Sequence, residues 1–152
     1  MRYYGFTNMY LSSIQVGIQN AHCLVNIGRE YDDTELTLSG VPAYVDYADW
    51  ADNHKTMICL NGGNQADLQE LGHFFEDESN PYAWSCFYED EQSLNGCLTC
   101  VGIILSERIY ETSRIIKEDR SGIAQLTLPA DLELSIWELE LIQLLPNFRL
   151  AH

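Results

Sequence analysis

Basic residues are scarce in this sequence. Eight Lys and Arg stand against 23 Asp and Glu, for a net charge of -15. A protein that follows a phosphate backbone needs a basic face to displace counterions. The densest basic stretch, Arg108 to Arg120, interleaves its cations with Glu111, Glu118 and Asp119. Duplex nucleic acid and tRNA are therefore not expected partners. An acidic surface keeps a protein soluble or docks it on a basic partner. Long apolar runs are lacking too. None reaches the roughly 20 residues of a membrane span. The opening MRYYGFTNMY has no apolar signal core. A cytoplasmic location is expected, and a membrane is not an expected partner.

Cysteine pairing and metal motifs are equally thin. Five cysteines are an odd number without a disulfide-framework spacing, so reduced thiols are expected. Cys97 and Cys100 form one C-x-x-C, but residues three apart on a strand point to opposite faces, and no second pair exists. No zinc site is expected. LNGGNQ lacks the Gly-Lys-Ser/Thr end of a phosphate loop. The acidic EDEQ reads as a solvated turn in preference to a cation site. No cofactor is expected.

One absence is local. From Ser12 to Ile27 there is no Asp, Glu, Lys or Arg, yet two Gln, two Asn and a His interrupt the apolar residues. Ser12 or Ser13 can cap a helix here and Gly28 can stop it. At about 100° per residue, Ile14, Ile18, Ala21 and Val25 form one stripe, which is expected to pack on a sheet. Gln15, Gln19, His22 and Asn26 form a second stripe of neutral donors and acceptors. Such a stripe can read a base edge, a ribose or an amide, while free amides at Ser12 and Ser13 can meet an anion. Polar residues half-buried at an interface would give the same pattern.

The rest of the chain reads as alternating strands and helices, hence one α/β domain. RYYGFT is a first strand. Residues 29 to 54 are acidic and irregular, with a short helix around DYADWADN whose Tyr47 and Trp50 anchor a loop or form a lid. KTMICL is a second strand ending at the NGG turn. Asn64 caps a helix with Leu68, Leu71 and Phe75 on one face. AWSCFY is a third strand, and CLTCVGIIL a strand covered on both faces. ERIYETSRIIKEDR is helical, GIAQLTLP an edge strand ended by Pro129, and SIWELELIQLL a helix with a capping box at Ser135 and Glu138.

This order, with two motifs, resembles the archaeal and eukaryotic (type 2) peptidyl-tRNA hydrolases. Their first motif, L-K-x-G-K-x-A-A-Q-x-x-H-A, is matched by MYLSSIQVGIQNAHC with Gln19 and His22 in place. Their T-V-x-G-I-G-P strand after an acidic turn is similar to YEDEQSLNGCLTCVGIIL, with Thr99, Gly102 and Ile103 matching. The likeness covers about residues 2 to 106. It implies a peptidyl-tRNA-hydrolase-like core over 1–106, a mixed sheet of four or more strands flanked by helices, with 107–152 as a C-terminal helical extension on the same domain. The family's lysines hold tRNA phosphate, but Tyr10, Ser13 and Gln15 stand at those positions. Its catalytic Asp falls among Glu89, Asp90 and Glu91, in no fixed register.

The expectation is a non-catalytic protein that binds or sequesters a small, nucleotide-like ligand. The binding residues would be Tyr10, Ser12, Ser13, Gln15, Gln19, His22 and Asn26, with Trp50 for stacking. Two alternatives stand: a peptidyl- or aminoacyl-tRNA hydrolase using His22 with Glu89 or Asp90, and an acidic protein docking on a basic partner. A homo-oligomer is expected, because the C-terminal helix is apolar on most sides.

Overall fold

A computed structural model describes residues 1–31, 43–120 and 133–151. The expected edge strand GIAQLTLP lies outside these residues. The described chain forms a mixed five-stranded sheet flanked by helices. Its strands are β1 (Arg2–Thr7), β2 (Met57–Asn61), β3 (Trp84–Tyr88), β4 (Leu98–Leu105) and β5 (Arg149–Leu150), in the order β3-β4-β1-β2-β5. β1 and β2 are parallel, while β4 runs antiparallel to both β1 and β3. Every residue of β4 is buried, as its unbroken apolar run requires of an interior strand.

Helix α1 (Ser13–Glu30) covers one face. Ser12 and Gln15 close a capping box at its start. α1 lies over two glycines, Gly5 and Gly102, which are cross-strand partners in β1 and β4. A Cβ at Gly5 would sit 1.6 Å from Asn20 Oδ1, and one at Gly102 would sit 2.8 Å from Cys23 Sγ. The missing side chains leave a dent that Asn20 and Cys23 fill. There Asn20 Nδ2 donates to the Val16 carbonyl (2.7 Å) and Cys23 Sγ to the Ser85 carbonyl (3.2 Å).

This dent overturns the expected packing of α1. Ile14, Ile18, Ala21 and Val25 do not face the sheet; they are exposed. The buried face is Val16, Gln19, Asn20, Cys23, Leu24 and Ile27. Periodicity alone favours the aliphatic stripe, but shape and hydrogen bonding decide. The paired-glycine dent takes Asn20 and Cys23, and the buried Ser85 carbonyl beside it takes the Cys23 thiol as donor.

Helix α2 (Ala43–Asp49) runs into a π-helical turn, Trp50–His54. Trp50 packs against Tyr3 (centroids 6.2 Å apart) and donates its indole N–H to the Thr56 carbonyl. It is an anchor, not a stacking platform. Its expected role as a ligand contact is corrected, since it is buried in the core on the α1 side.

The other face carries the larger core. Tyr4, Phe6, Val101 and Ile103 meet α3 (Gln65–Phe75), α5 (Glu107–Arg120) and α6 (Ile136–Leu144). A short helix α4 (Glu91–Leu94) joins β3 to β4. Trp137 of α6 stacks on Phe74 at 5.0 Å and 7°. A 3₁₀ turn, Leu145–Asn147, leads to β5, which pairs with β2. Residues 133–151 thus complete this core and close one edge of the sheet.

The buried phenols and thiols fix the alkaline limit. Burial raises the pKa of Tyr82 from 10.0 to about 12 and of Cys86 from 9.0 to about 12, and raises Tyr3, Tyr4 and Cys100 as well. A group with a raised folded pKa stabilises the native state fully below its unfolded pKa and loses that contribution as pH climbs through the folded value. Stability is therefore expected to fall progressively from about pH 9 to pH 12. Urea midpoints at pH 7, 9 and 11 check this; a midpoint unchanged at pH 11 contradicts it.

Candidate functional site

Strands β1, β2 and β3 point the same way, because β4 is antiparallel to both its neighbours. Their carboxyl ends therefore gather at one end of the sheet. In open α/β sheets ligands bind outside the carboxyl ends of the strands. The loops here are stitched together: Met9 N–H donates to the Gly63 carbonyl, Gly62 N–H to that of Thr7, and Asn8 N–H to that of Thr99. The buried Asn8 accepts the Tyr10 N–H on its side chain. Gly63 has φ +85°, and a Cβ there would lie 2.3 Å from Asp67 Oδ2, so the turn into α3 demands glycine.

Three side chains meet beside this end. Gln19 Nε2 donates to Glu89 Oε1 at 2.6 Å, and Thr99 Oγ1 donates to Gln19 Oε1 at 3.0 Å. Thr99 also reaches the Phe87 carbonyl. Of the acidic turn, Glu89 is the residue that meets Gln19. Glu89 is the half-buried carboxylate held by Gln19, while Asp90 and Glu91 are exposed. One turn further along α1, the exposed His22 packs against Phe87 with centroids 4.5 Å apart and the rings tilted by 48°. Asn26 Nδ2 donates to the Cys86 carbonyl. β3 is an edge strand, and Asn26 covers an outward carbonyl that would otherwise be free to template another chain.

The polar stripe is thus already engaged. Gln15 Oε1 accepts from the Ser12 N–H and hydroxyl and so belongs to the helix cap. Gln19 and Asn26 tie α1 to the β3–β4 edge. Tyr10, Ser12, Ser13, Gln15 and His22 are exposed. Among the described residues no hydrogen bond or ion pair joins His22 to Glu89, and no group of three His, Cys, Asp or Glu can hold a metal ion.

A feature not anticipated from the sequence lies on the other side of Gly62 and Gly63. A cleft of about 570 Å³ opens between the start of α3 and the C-terminal segment. Leu71, Phe74, Leu144 and Phe148 form its apolar walls, while Asp67, Glu70 and Arg149 bring charge to it. Both rings are braced from behind: Phe148 packs edge-on to Phe6 at 4.7 Å, and Phe74 is stacked on Trp137. The Arg149 guanidinium is exposed and has no partner among the described residues. The only sequence signal was the NGG turn. Arg149 reaches the site because it pairs with Asn61 in the sheet, 88 positions away in the chain (149 − 61). A second cleft, about 640 Å³, runs beside β3 and is lined by Glu30, His73 and Glu76 among others. Neither cleft is lined by Gln15, Gln19, His22 or Asn26. Among the described residues no helix is long and apolar enough to cross a membrane. Compared with known proteins, the chain matches no family model and no curated protein.

Proposed function

We propose that this protein binds a small nucleotide-like ligand without turning it over, on a fold similar to that of the type 2 peptidyl-tRNA hydrolases. The element order from β1 to β4 supports the likeness, as does the meeting of Gln19, Glu89 and Thr99, which the two motifs alone do not guarantee. The observation that carries the binding reading is the cleft beside Gly62 and Gly63. Its volume suits a nucleoside-sized molecule. Phe74 and Phe148 offer braced rings to a base, Arg149 an exposed guanidinium to a phosphate, and Asp67 or Glu70 acceptors to ribose hydroxyls. The site expected along α1 thereby shifts to the far side of the same sheet end.

The absence of catalysis rests on charge. Gln15 stands at a motif lysine position and is consumed by the helix cap, and among the described residues no Lys or Arg joins Gln19, Glu89 and Thr99. Nucleotides screened by melting temperature and by native mass spectrometry test the binding. Arg149→Ala is expected to weaken the ligand that shifts the melt by about 10- to 100-fold, the worth of a charge-assisted hydrogen bond. Gln19→Ala is expected to leave its affinity within about threefold once the loss of stability is accounted for. No shift with any nucleotide, or loss through Gln19→Ala with Arg149→Ala silent, defeats this placement.

Glu89 favours the hydrolase alternative to one degree: a half-buried carboxylate aimed by Gln19 is what a general base would need. Turnover of peptidyl-tRNA that His22→Ala abolishes would establish that reading instead.

A further inference from the structure

α1 is apolar on two opposite sides. One side is buried on the sheet; the other carries Ile14, Ile18 and Val25, which are 77, 46 and 59% exposed. Three large aliphatic side chains on one exposed helix face form a patch that a second surface can cover. Among the described residues nothing covers the outer side. Charge limits what can. Each molecule carries -15, so like molecules repel wherever that charge faces itself. The outer side of α1 is the exception, since no charged residue occurs between Ser12 and Ile27.

The spacing is self-complementary. Positions 14, 18, 21 and 25 are separated by four, three and four, and the order reads the same reversed. Two copies of α1 laid antiparallel about a two-fold axis place Ile14 of each against Val25 of the other, and Ile18 against Ala21. Isologous contacts have this reciprocity. Gly17 points the same way. It is exposed, and a Cβ there would meet nothing within 4 Å. Glycine inside a helix weakens it, and no contact among the described residues requires it. Gly17 and Ala21 lie four apart on one ridge, where small residues let a second backbone approach closely. At the ends of the stripe stand Tyr10, 80% exposed, and Arg29, also exposed.

We propose that the outer face of α1, centred on Ile18 and Ala21, is the two-fold interface of a homodimer. This replaces the C-terminal helix as the oligomer contact: α6 buries Trp137, Leu141 and Ile142 against its own sheet. The contact is one helix face about 27 Å long, which is small for a stable interface, so association is concentration-dependent. Light scattering between about 1 μM and 1 mM tests it. The molar mass is expected to rise from 17.4 kDa toward twice that value. Added salt is expected to strengthen association, because it screens the repulsion between two copies of -15. Ile18→Glu and Val25→Glu are expected to hold the mass at 17.4 kDa throughout with the far-UV melting curve retained, and Ile136→Glu on α6 to behave as wild type. A wild-type monomer at about 1 mM overturns the proposal. So does a dimer that salt dissociates, or one lost through Ile136→Glu and kept in both α1 variants.

Discussion

Gly5→Ala is expected to destabilise the protein by about 3–5 kcal/mol, enough to take a large part of the stability of an ordinary domain. The added methyl would stand 1.6 Å from Asn20 Oδ1 and 2.8 Å from the Tyr3 ring. Both neighbours are fully buried, so neither can swing into solvent. Asn20 must surrender its bond to the Val16 carbonyl or α1 must lift from the sheet. Lifting α1 would also strain the Cys23 and Gln19 contacts with β3 and β4. Overpacking alone accounts for about 1–3 kcal/mol, and a stranded buried amide adds a similar amount. The double variant Gly5→Ala/Asn20→Ala removes the obstructing amide. It is expected to recover about 1–3 kcal/mol of the loss as a favourable coupling term. Urea denaturation of the two single variants and the double measures it. Additive losses would mean that α1 does not rest on the Gly5–Gly102 pair.

Glu138→Ala is expected to cost about 2–4 kcal/mol. Glu138 is 5% exposed and sits where three elements meet. Its Oε1 accepts from the Tyr82 hydroxyl at 2.6 Å and from Arg108 at 2.5 Å, and its Oε2 accepts the Ser135 N–H at 2.9 Å. Removing the carboxylate strands a buried hydroxyl, opens the capping box of α6 and releases the hold of α5 on α6. The Arg108 side chain is 41% exposed. Its charge finds water, which keeps the cost below that of a fully buried pair. Glu138→Gln keeps an acceptor for Tyr82 and is expected to lose about half as much. Chemical denaturation gives the comparison, and limited proteolysis across 133–151 should rise in parallel with the loss. Equal effects of Gln and Ala would place the stabilisation in the charge and not in the acceptor.

Much of the architecture was legible because it is local. The strand β4 is readable from nine consecutive residues with hardly a polar side chain, and such a run needs cover on both faces. The starts of α1, α3 and α6 are readable from Ser12, Asn64 and Ser135, since a capping box forms within four residues. The meeting of Gln19 with Thr99, 80 positions apart, was not legible in either motif. The face of α1 was not legible. Two stripes had comparable claims, and the choice was made by Gly5 and Gly102, nearly a hundred residues apart and opposite each other only once β1 and β4 pair.

The order of residues by itself determined the net charge of -15, the neutrality of residues 12–27 and the alternation that makes an α/β sheet, because these follow from residue type and short-range geometry. Tertiary structure alone decided which side of α1 is buried, which acidic residue of the turn meets Gln19, that Trp50 is enclosed, and that Arg149 stands at the mouth of a cleft with Phe74 and Phe148. The reason is common to all four. Each depends on steric fit or hydrogen bonding between segments far apart in the chain, and helical or strand periodicity carries no information about where a distant segment leaves a dent, an unpaired carbonyl or an open edge.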